Sequence, residues 1–326
     1  MAKRRLVGAQ SPAHAPPSSH ERPQPAGHPL LAGALVVAVF AVSTSAILAR
    51  LATISPVVLA AYRLAVSALL LLPWMLFIPR GERVPNSPRL RGLAAASGVF
   101  FGAHLALWFA SLEETSVASA AVLVTIHPLL IVPASYLLWR ERVSGKALLG
   151  MAAALLGSAL IGLGDLGLGG SHLAGDLLAV AAACAMGAYL LIGSLVRARF
   201  PLASYLVWVN AFGAATVFLY GSLQRLSFWP IPPREWVIIG LLAVVPTLMG
   251  HTLFNWALRH TGPSVVSVSI LGEPVGASIL AFLLFGEIPG FWQATGAILI
   301  LTGVYAFVKG REVAQGSGAS RGDRRA

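Results

Sequence analysis

The stretch Ser267-Val-Ser-Ile-Leu-Gly-Glu-Pro-Val-Gly276 decides how this chain is read. It lies inside an apolar run from Pro263 to Phe285. That run is long enough to cross a bilayer, since a crossing helix needs about 20 mostly apolar residues at roughly 1.5 Å each. Glu273 and Pro274 fall at its middle. A carboxylate at that depth costs roughly 2.5–3.5 kcal/mol on insertion, so it is expected to face a partner or a wet cavity. Proline has no N–H, so the carbonyl of Ile270 loses its helical donor and polar backbone is freed beside the carboxylate.

The same device occurs earlier, in Val122-Leu-Val-Thr-Ile-His-Pro-Leu129, where His127 and Pro128 sit mid-way along the run Thr115 to Trp139. Both pairs, His127 with Glu273 and Pro128 with Pro274, are separated by 146 residues. The same offset of 146 relates Thr115 to Thr261, Glu141 to Glu287, Gly150 to Gly296 and Gly157 to Gly303. Together with the matching hydropathy, these identities point to one unit present twice, with a broken helix from each copy meeting at mid-membrane.

Composition sets the class. The chain has 326 residues, 57% apolar and only 11% charged, against about 25% charged in a soluble domain. A net charge of +11 does not imply nucleic acid, because the basic residues lie in loops and tails and form no soluble basic face. The single cysteine, Cys184, lies in an apolar run, which rules out a disulfide or a cysteine-rich metal site within one chain. Neither a metal nor a cofactor is expected. Residues 1–28 are rich in Pro, Ser, Ala and His and read as a disordered cytoplasmic tail rather than a secretory signal. His14, His20 and His28 are irregularly spaced among prolines and read as solvated tail residues.

Ten apolar runs follow, near 30–49, 55–78, 92–111, 115–139, 145–164, 173–195, 203–222, 235–258, 263–285 and 289–308. The expectation is an all-α integral membrane protein with ten transmembrane helices. It divides into a first five-helix repeat at 29–166, a second at 172–309, and a disordered cytoplasmic tail at 310–326. With the amino terminus in the cytoplasm, 19 Lys and Arg fall on the cytoplasmic side. Only Arg50, Arg225 and Arg234 fall outside, and Arg63 lies within a span. Basic residues concentrate on the cytoplasmic side of membrane proteins, so both termini are placed inside, in a bacterial inner membrane. Five spans per copy is an odd number, so the second copy inserts upside down. Inverted repeats with helices interrupted at the midplane are the build of many secondary transporters.

Polar groups inside the spans are the candidate site. Arg63 lies about 12 Å deep in the second span and reads either as a structural arginine or as an anion site. His104 and Trp108 share a face of the third span, and His251 and Asn255 a face of the eighth. Because these helices run oppositely, the two faces suggest an outer and an inner gate; the bland reading of His251 and Asn255 is helix–helix hydrogen bonding. Tyr189 is the large amphipathic group of the sixth span. In the seventh, Tyr205, Trp208 and Phe212 lie on one face and Asn210 on another. Ser43-Thr44-Ser45 offers hydroxyls that bond either a partner or their own helix. His127 is either a satisfied core histidine or a functional partner of Glu273, and Ser269 shares a face with Glu273. Gly98-x-x-x-Gly102 and Gly272-x-x-x-Gly276 would let helices approach closely. Gly162-Leu-Gly-Asp165 resembles the motif of intramembrane aspartyl proteases. That chemistry needs two facing carboxylates, and the only other aspartates are Asp176 and Asp323. Zinc-protease, ATPase and serine-hydrolase motifs are missing from the sequence.

The ten spans, the inverted units and the helix endings Trp139-Arg-Glu-Arg142 and Phe285-Gly-Glu-Ile288 resemble EamA-type members of the drug/metabolite transporter superfamily. Pro56-Val-Val-Leu-Ala-Ala-Tyr-Arg63, Thr115-Ser-Val-Ala118 and Glu273-Pro274 carry the resemblance further. The resemblance implies gradient-driven or facilitated passage of small metabolites, with many members similar to exporters of amino acids, aromatic ones included. His127 departs from the less polar residue usual at that place. The expected site comprises Arg63, His104, Trp108, His127, Tyr189, Trp208, Asn210, His251, Asn255 and Glu273. Arg63 would attract a carboxylate, Glu273 or His127 would receive an ammonium group, and Trp108, Tyr189 and Trp208 would supply apolar walls. Protons are a candidate coupling ion. Export of other metabolites or drugs is the alternative within this class. An intramembrane enzyme, or a non-transporting receptor or assembly subunit, is the alternative outside it.

Overall fold

Prolines set the frame of the bundle. Pro56, Pro88, Pro233 and Pro263 each stand at the first position of a helix, where the missing N–H costs nothing and the fixed φ suits the first turn. The computed structural model describes residues 28–84, 87–115, 117–141, 143–164 and 173–322, and all the regular elements among them are helical. The first unit comprises α1 (His28–Leu51), α2 (Pro56–Phe77), the short α3 (Arg80–Arg83), α4 (Pro88–Glu114), α5 (Val117–Val124) with α6 (His127–Trp139), and α7 (Gly145–Gly164). The second comprises α8 (Leu173–Arg197) and α9 (Leu202–Leu223), then a composite span and three more helices. The composite span is α10 (Pro233–Leu242), a π-helical segment (Ala243–His251) and α11 (Thr252–His260). After it come α12 (Pro263–Ile270) with α13 (Glu273–Phe285), and α14 (Phe291–Gly322).

Nine of the resulting spans are long and apolar enough to cross a membrane, and a shorter apolar helix, Gly145–Ile161, makes the tenth. Ten crossings return the chain to the face on which it started. That face, holding the ends of α6, α8 and α11 and the starts of α7, α9 and α12, is called the terminal face below. One boundary differs from expectation. α14 continues to Gly322 instead of giving way to a tail at 310. No proline follows Gly310, so a helix already nucleated in the span propagates by one hydrogen bond per residue. Residues 1–27, most of the expected amino-terminal tail, lie outside the described residues.

The fourth and ninth spans break where the two prolines require it. α5 ends at Val124 and α6 begins at His127; α12 ends at Ile270 and α13 begins at Glu273. In the fourth span the carbonyl orphaned by Pro128, that of Val124, is met by the ring Nδ1 of His127 at 3.2 Å. In the ninth, the amides of Val275 and Gly276 both reach the Gly272 carbonyl at 3.1 Å.

The two units pack as a pseudo-two-fold pair. α4 lies along α8, and the equivalent α1 lies along the composite eighth span; α6 packs on α8 as α13 packs on α1; α2 meets α9 and α7 meets α14 across the axis itself. The α7–α14 crossing shows the symmetry residue by residue. A Cβ on Gly157 would stand 2.5 Å from the Gly296 carbonyl oxygen, and one on Gly296 would stand 2.5 Å from that of Gly157. Gly150 and Gly303 are paired in the same reciprocal way, at 2.6 and 2.5 Å. Without glycine these backbones could not touch, and in lipid close packing rather than the hydrophobic effect holds helices together. Val in place of Gly157 or Gly296 should lower stability by about 1–3 kcal/mol, measured as a lower thermal midpoint of the detergent-solubilised protein. Ala in place of Gly240, around which nothing lies within 4 Å, should leave the midpoint unchanged or raise it slightly. The two small-residue motifs also mark contacts: Gly98 and Gly102 meet the α9 backbone at Val209 and Gly213, while Gly272 and Gly276 meet Val39 and Ser43 of α1.

The two ends of the bundle are not equivalent. At the terminal face α12 packs on α6, and α11 on α8. At the opposite face the two-fold equivalents, α5 with α13 and α4 with α1, show no comparable packing among the described residues.

Candidate functional site

The two helix breaks bring polar side chains to one level of the bundle. Glu273 opens α13 and His127 opens α6, so each stands at the N-terminus of a half-helix, where the backbone N–H groups point into the protein. Arg63 on α2 is buried at 3% exposure and is held by two neutral hydroxyls. Its Nε donates to Thr247 Oγ1 at 2.7 Å and its Nη1 to Ser45 Oγ at 2.7 Å. No carboxylate contacts it among the described residues. Glu273 lies within electrostatic range of Arg63 without forming an ion pair. The direct Arg63–Glu273 bridge, a rival to a substrate role, is therefore absent from this conformation.

The histidines belong to the same cluster. His104 and His251 both lie in electrostatic range of Arg63 and of each other, and His127 lies in range of His104. Against the expectation of two separate polar faces, His251, at the end of the π segment, lies in the same cluster as His104. Glu273, His104 and His251 lie deep among the helices yet keep accessible surface.

Hydrogen bonding sets what the imidazoles offer. A carbonyl can only accept, so Nδ1 of His127 donates to Val124, and in the neutral ring Nε2 is a lone-pair acceptor. That Nε2 is buried and makes no well-formed hydrogen bond, although the Ser267 backbone lies close enough to interact with the ring. His104 likewise donates Nδ1–H to the Ala182 carbonyl at 3.0 Å. Nδ1 of His251 is also buried without a partner, and its ring lies edge-on to Phe101 at 4.7 Å. Phe101 stacks on Tyr189 at 4.8 Å, and the Tyr189 hydroxyl accepts from Asn255 Nδ2 at 2.6 Å. For Asn255 the helix–helix hydrogen bond is therefore what the structure contains. Trp108, on the His104 face, keeps accessible surface while its Nε1 is buried and unbonded.

Three expectations do not survive. Trp208 stacks on Phe212 at 5.5 Å and lies 6.2 Å from Phe200, and Asn210 donates to the Leu206 carbonyl of its own helix at 2.8 Å. Among the described residues no hydrogen bond or ring contact joins either to the cluster. The 3.6-residue turn of α9 carries the Trp208–Phe212 stripe to the flank of the bundle. Ser269 does not act with Glu273 either: it bonds back to the Val265 carbonyl at 2.8 Å, and the helix break separates the two. Asp165, from the protease-like motif, lies outside the described residues.

Sequence reading missed Thr247 and Phe101, and noted Ser45 only as one of three neighbouring hydroxyls, without its partner Arg63. Thr247 had a signal, since it follows Pro246 inside a span. There the helix widens to π geometry, and Thr247 Oγ1 reaches the Leu242 carbonyl at 2.9 Å. π segments recur at functional sites. Thr247→Val should lower transport about tenfold or more, as expected for one lost hydrogen bond to a charged group, whereas Thr247→Ser, which keeps the hydroxyl, should restore it. Initial flux rates in proteoliposomes read the difference. Among the described residues no group of three or more His, Cys, Asp or Glu is arranged to hold a metal ion.

An all-helical membrane bundle of two inverted units, with a charged cluster at the helix breaks, is the build of a membrane transporter. The chain belongs to the EamA-like transporter family, whose model matches it twice, over residues 29–163 and 173–309. An uncharacterized transporter of Archaeoglobus fulgidus is 26% identical over 279 residues, 83% of this chain and 94% of its own length. A probable terminal-alkyne amino-acid exporter of Streptantibioticus cattleyicolor is 24% identical over 69% of this chain and 75% of its own. A probable amino-acid metabolite efflux pump of Escherichia coli is 28% identical over 52% of this chain and 60% of its own. A solved crystal structure, titled without a function, superposes with a TM-score of 0.73 at 22% identity, covering 87% of this chain and 99% of that one. Family and relatives are transporters rather than enzymes.

Proposed function

We propose that this protein is an inner-membrane exporter of small zwitterionic metabolites, amino acids with aromatic ones among them, working by alternating access through the midplane cluster. One observation carries the reading: a guanidinium with no carboxylate in contact and a carboxylate with no cation in contact lie within electrostatic range of each other among the described residues, beside the break in the ninth span. Arg63 is the receptor for a substrate carboxylate, already held rigid by Thr247 and Ser45. Glu273, with Nε2 of His127 as a second acceptor, receives the ammonium. Hydrogen bonds to charged groups are worth about 1.5–3 kcal/mol each, and a zwitterion satisfies both charges at once. Trp108 supplies the apolar wall on which a side chain would rest, with Phe101 and Tyr189, each 1% exposed, packed in the core beside the cluster. The printed names of the Streptantibioticus and Escherichia relatives agree with an amino-acid cargo. The terminal face, where Lys and Arg concentrate, is the cytoplasmic one.

The test is flux of a panel of labelled substrates in proteoliposomes, with and without a pH gradient. Amino acids should move faster than their decarboxylated or deaminated analogues. Equal flux of all three, or flux only of apolar drugs, would shift the reading to the broader class of drug and metabolite export. A rate that follows the pH gradient would make the proton the coupling ion.

A further inference from the structure

The terminal face carries a buried ion pair that the transport cluster does not use. Arg311, at the end of the last span, pairs with Glu141, at the end of the fourth, at 2.7 Å. Both side chains are only 6% exposed. Nη1 of Arg311 also donates to Thr261 Oγ1 at 3.3 Å, in the turn between α11 and α12. That turn passes through Gly262 at φ +95°, a backbone that suits glycine, with both Arg311 and Glu141 against it. Ser144 adds a bond to the Gly310 carbonyl at 2.8 Å. One guanidinium thus ties the first unit's broken span to the second unit's α11–α12 hairpin. These are the elements that must part if the cluster is to open on this face, where α12 rests on α6.

At the opposite face the counterpart residues among those described make a different, exposed pair. The counterparts of Glu141 and Thr261 at the opposite face are Glu287 and Thr115. Glu287 pairs instead with Arg50 at 2.6 Å, with the side chains 48% and 59% exposed respectively, and Thr115 donates to Asp176 at 2.8 Å. The residue 146 positions before Arg311 is Asp165, an acid where the buried pair has its base. A buried pair loses far more when one partner is removed than an exposed pair does.

We infer that Glu141 and Arg311 form a latch that holds the cytoplasmic side of the transporter shut, so that its resting state faces outward. The inference rests on the transporter reading but not on the cargo. The test places a single reporter thiol, Ser264→Cys, in the full chain carrying Cys184→Ala. Ser264 is fully buried at the start of α12. A second reporter, Val217→Cys, is equally buried on α9, away from the latch. A membrane-impermeant maleimide is applied to the terminal face of vesicles of known orientation, without substrate. Glu141→Gln or Arg311→Gln should raise labelling at position 264 at least about tenfold and leave position 217 unchanged. Unchanged labelling at 264, or a rise at both positions, overturns the latch; the second result would mean that the pair only holds the fold together. Labelling needs no cargo, so failure of the latch and failure of the amino-acid assignment are told apart.

Discussion

Arg63→Gln should reduce flux of carboxylate-bearing substrates by about tenfold to a hundredfold, the range expected when charge-assisted hydrogen bonds worth about 1.5–3 kcal/mol are lost. The effect should be selective. Amines made by removing the carboxylate from the same substrates should move at nearly the wild-type rate, because they never used the guanidinium. The alternative is a structural arginine that pins α2 to α1 and the π segment through Ser45 and Thr247. On that alternative, flux of acids and amines falls together and the thermal midpoint falls with it. Comparing the two substrate classes in one set of proteoliposomes separates the readings, and a loss shared equally by both would remove Arg63 from recognition.

Glu273→Gln tests the other half of the site. Glutamine keeps the size and hydrogen-bonding reach of the side chain and removes only the charge. Flux of zwitterionic substrates should fall by about tenfold or more, while carboxylates lacking the amino group should be spared. Glu273 stands at the first position of α13, where a negative charge is favoured by the helix dipole by about 0.3–1 kcal/mol. That interaction is too small for its loss to unfold a bundle held together by ten spans, so a changed selectivity can be read cleanly. Unchanged flux and selectivity in Glu273→Gln would take the carboxylate out of the mechanism.

Much of the architecture is visible in the linear chain for a simple physical reason. Lipid offers no hydrogen bonds, so each crossing must be an apolar helix of fixed length, and interruptions must be written as prolines beside polar residues. His127-Pro128 and Glu273-Pro274 are such marks, and the breaks in the fourth and ninth spans fall on them. The site was legible to the extent that charge is costly in a membrane: Arg63, Glu273, His104, His127 and His251 all gather in one cluster. Aromatic and amide residues carry no comparable penalty, so the sequence ranks them less sharply: Tyr189, Asn255 and Trp108 adjoin the cluster, whereas no hydrogen bond or ring contact joins Trp208 or Asn210 to it among the described residues. Phe101 and Thr247 went unnoticed in spans full of similar residues, and Ser45 was noted without its partner.

Sequence by itself determined the ten crossings, the duplication at an offset of 146 residues, the odd number of spans per copy and hence the inversion, because these depend only on hydropathy, length and backbone chemistry. Tertiary structure alone decided which hydroxyls hold Arg63, which nitrogen of His127 meets the Val124 carbonyl, and that Glu141 meets Arg311 at the terminal face. Those outcomes depend on the rotation of each helix about its own axis and on which partner it meets. A π-helical segment or a glycine crossing sets that rotation through contacts between residues far apart in the chain, and no local pattern records it.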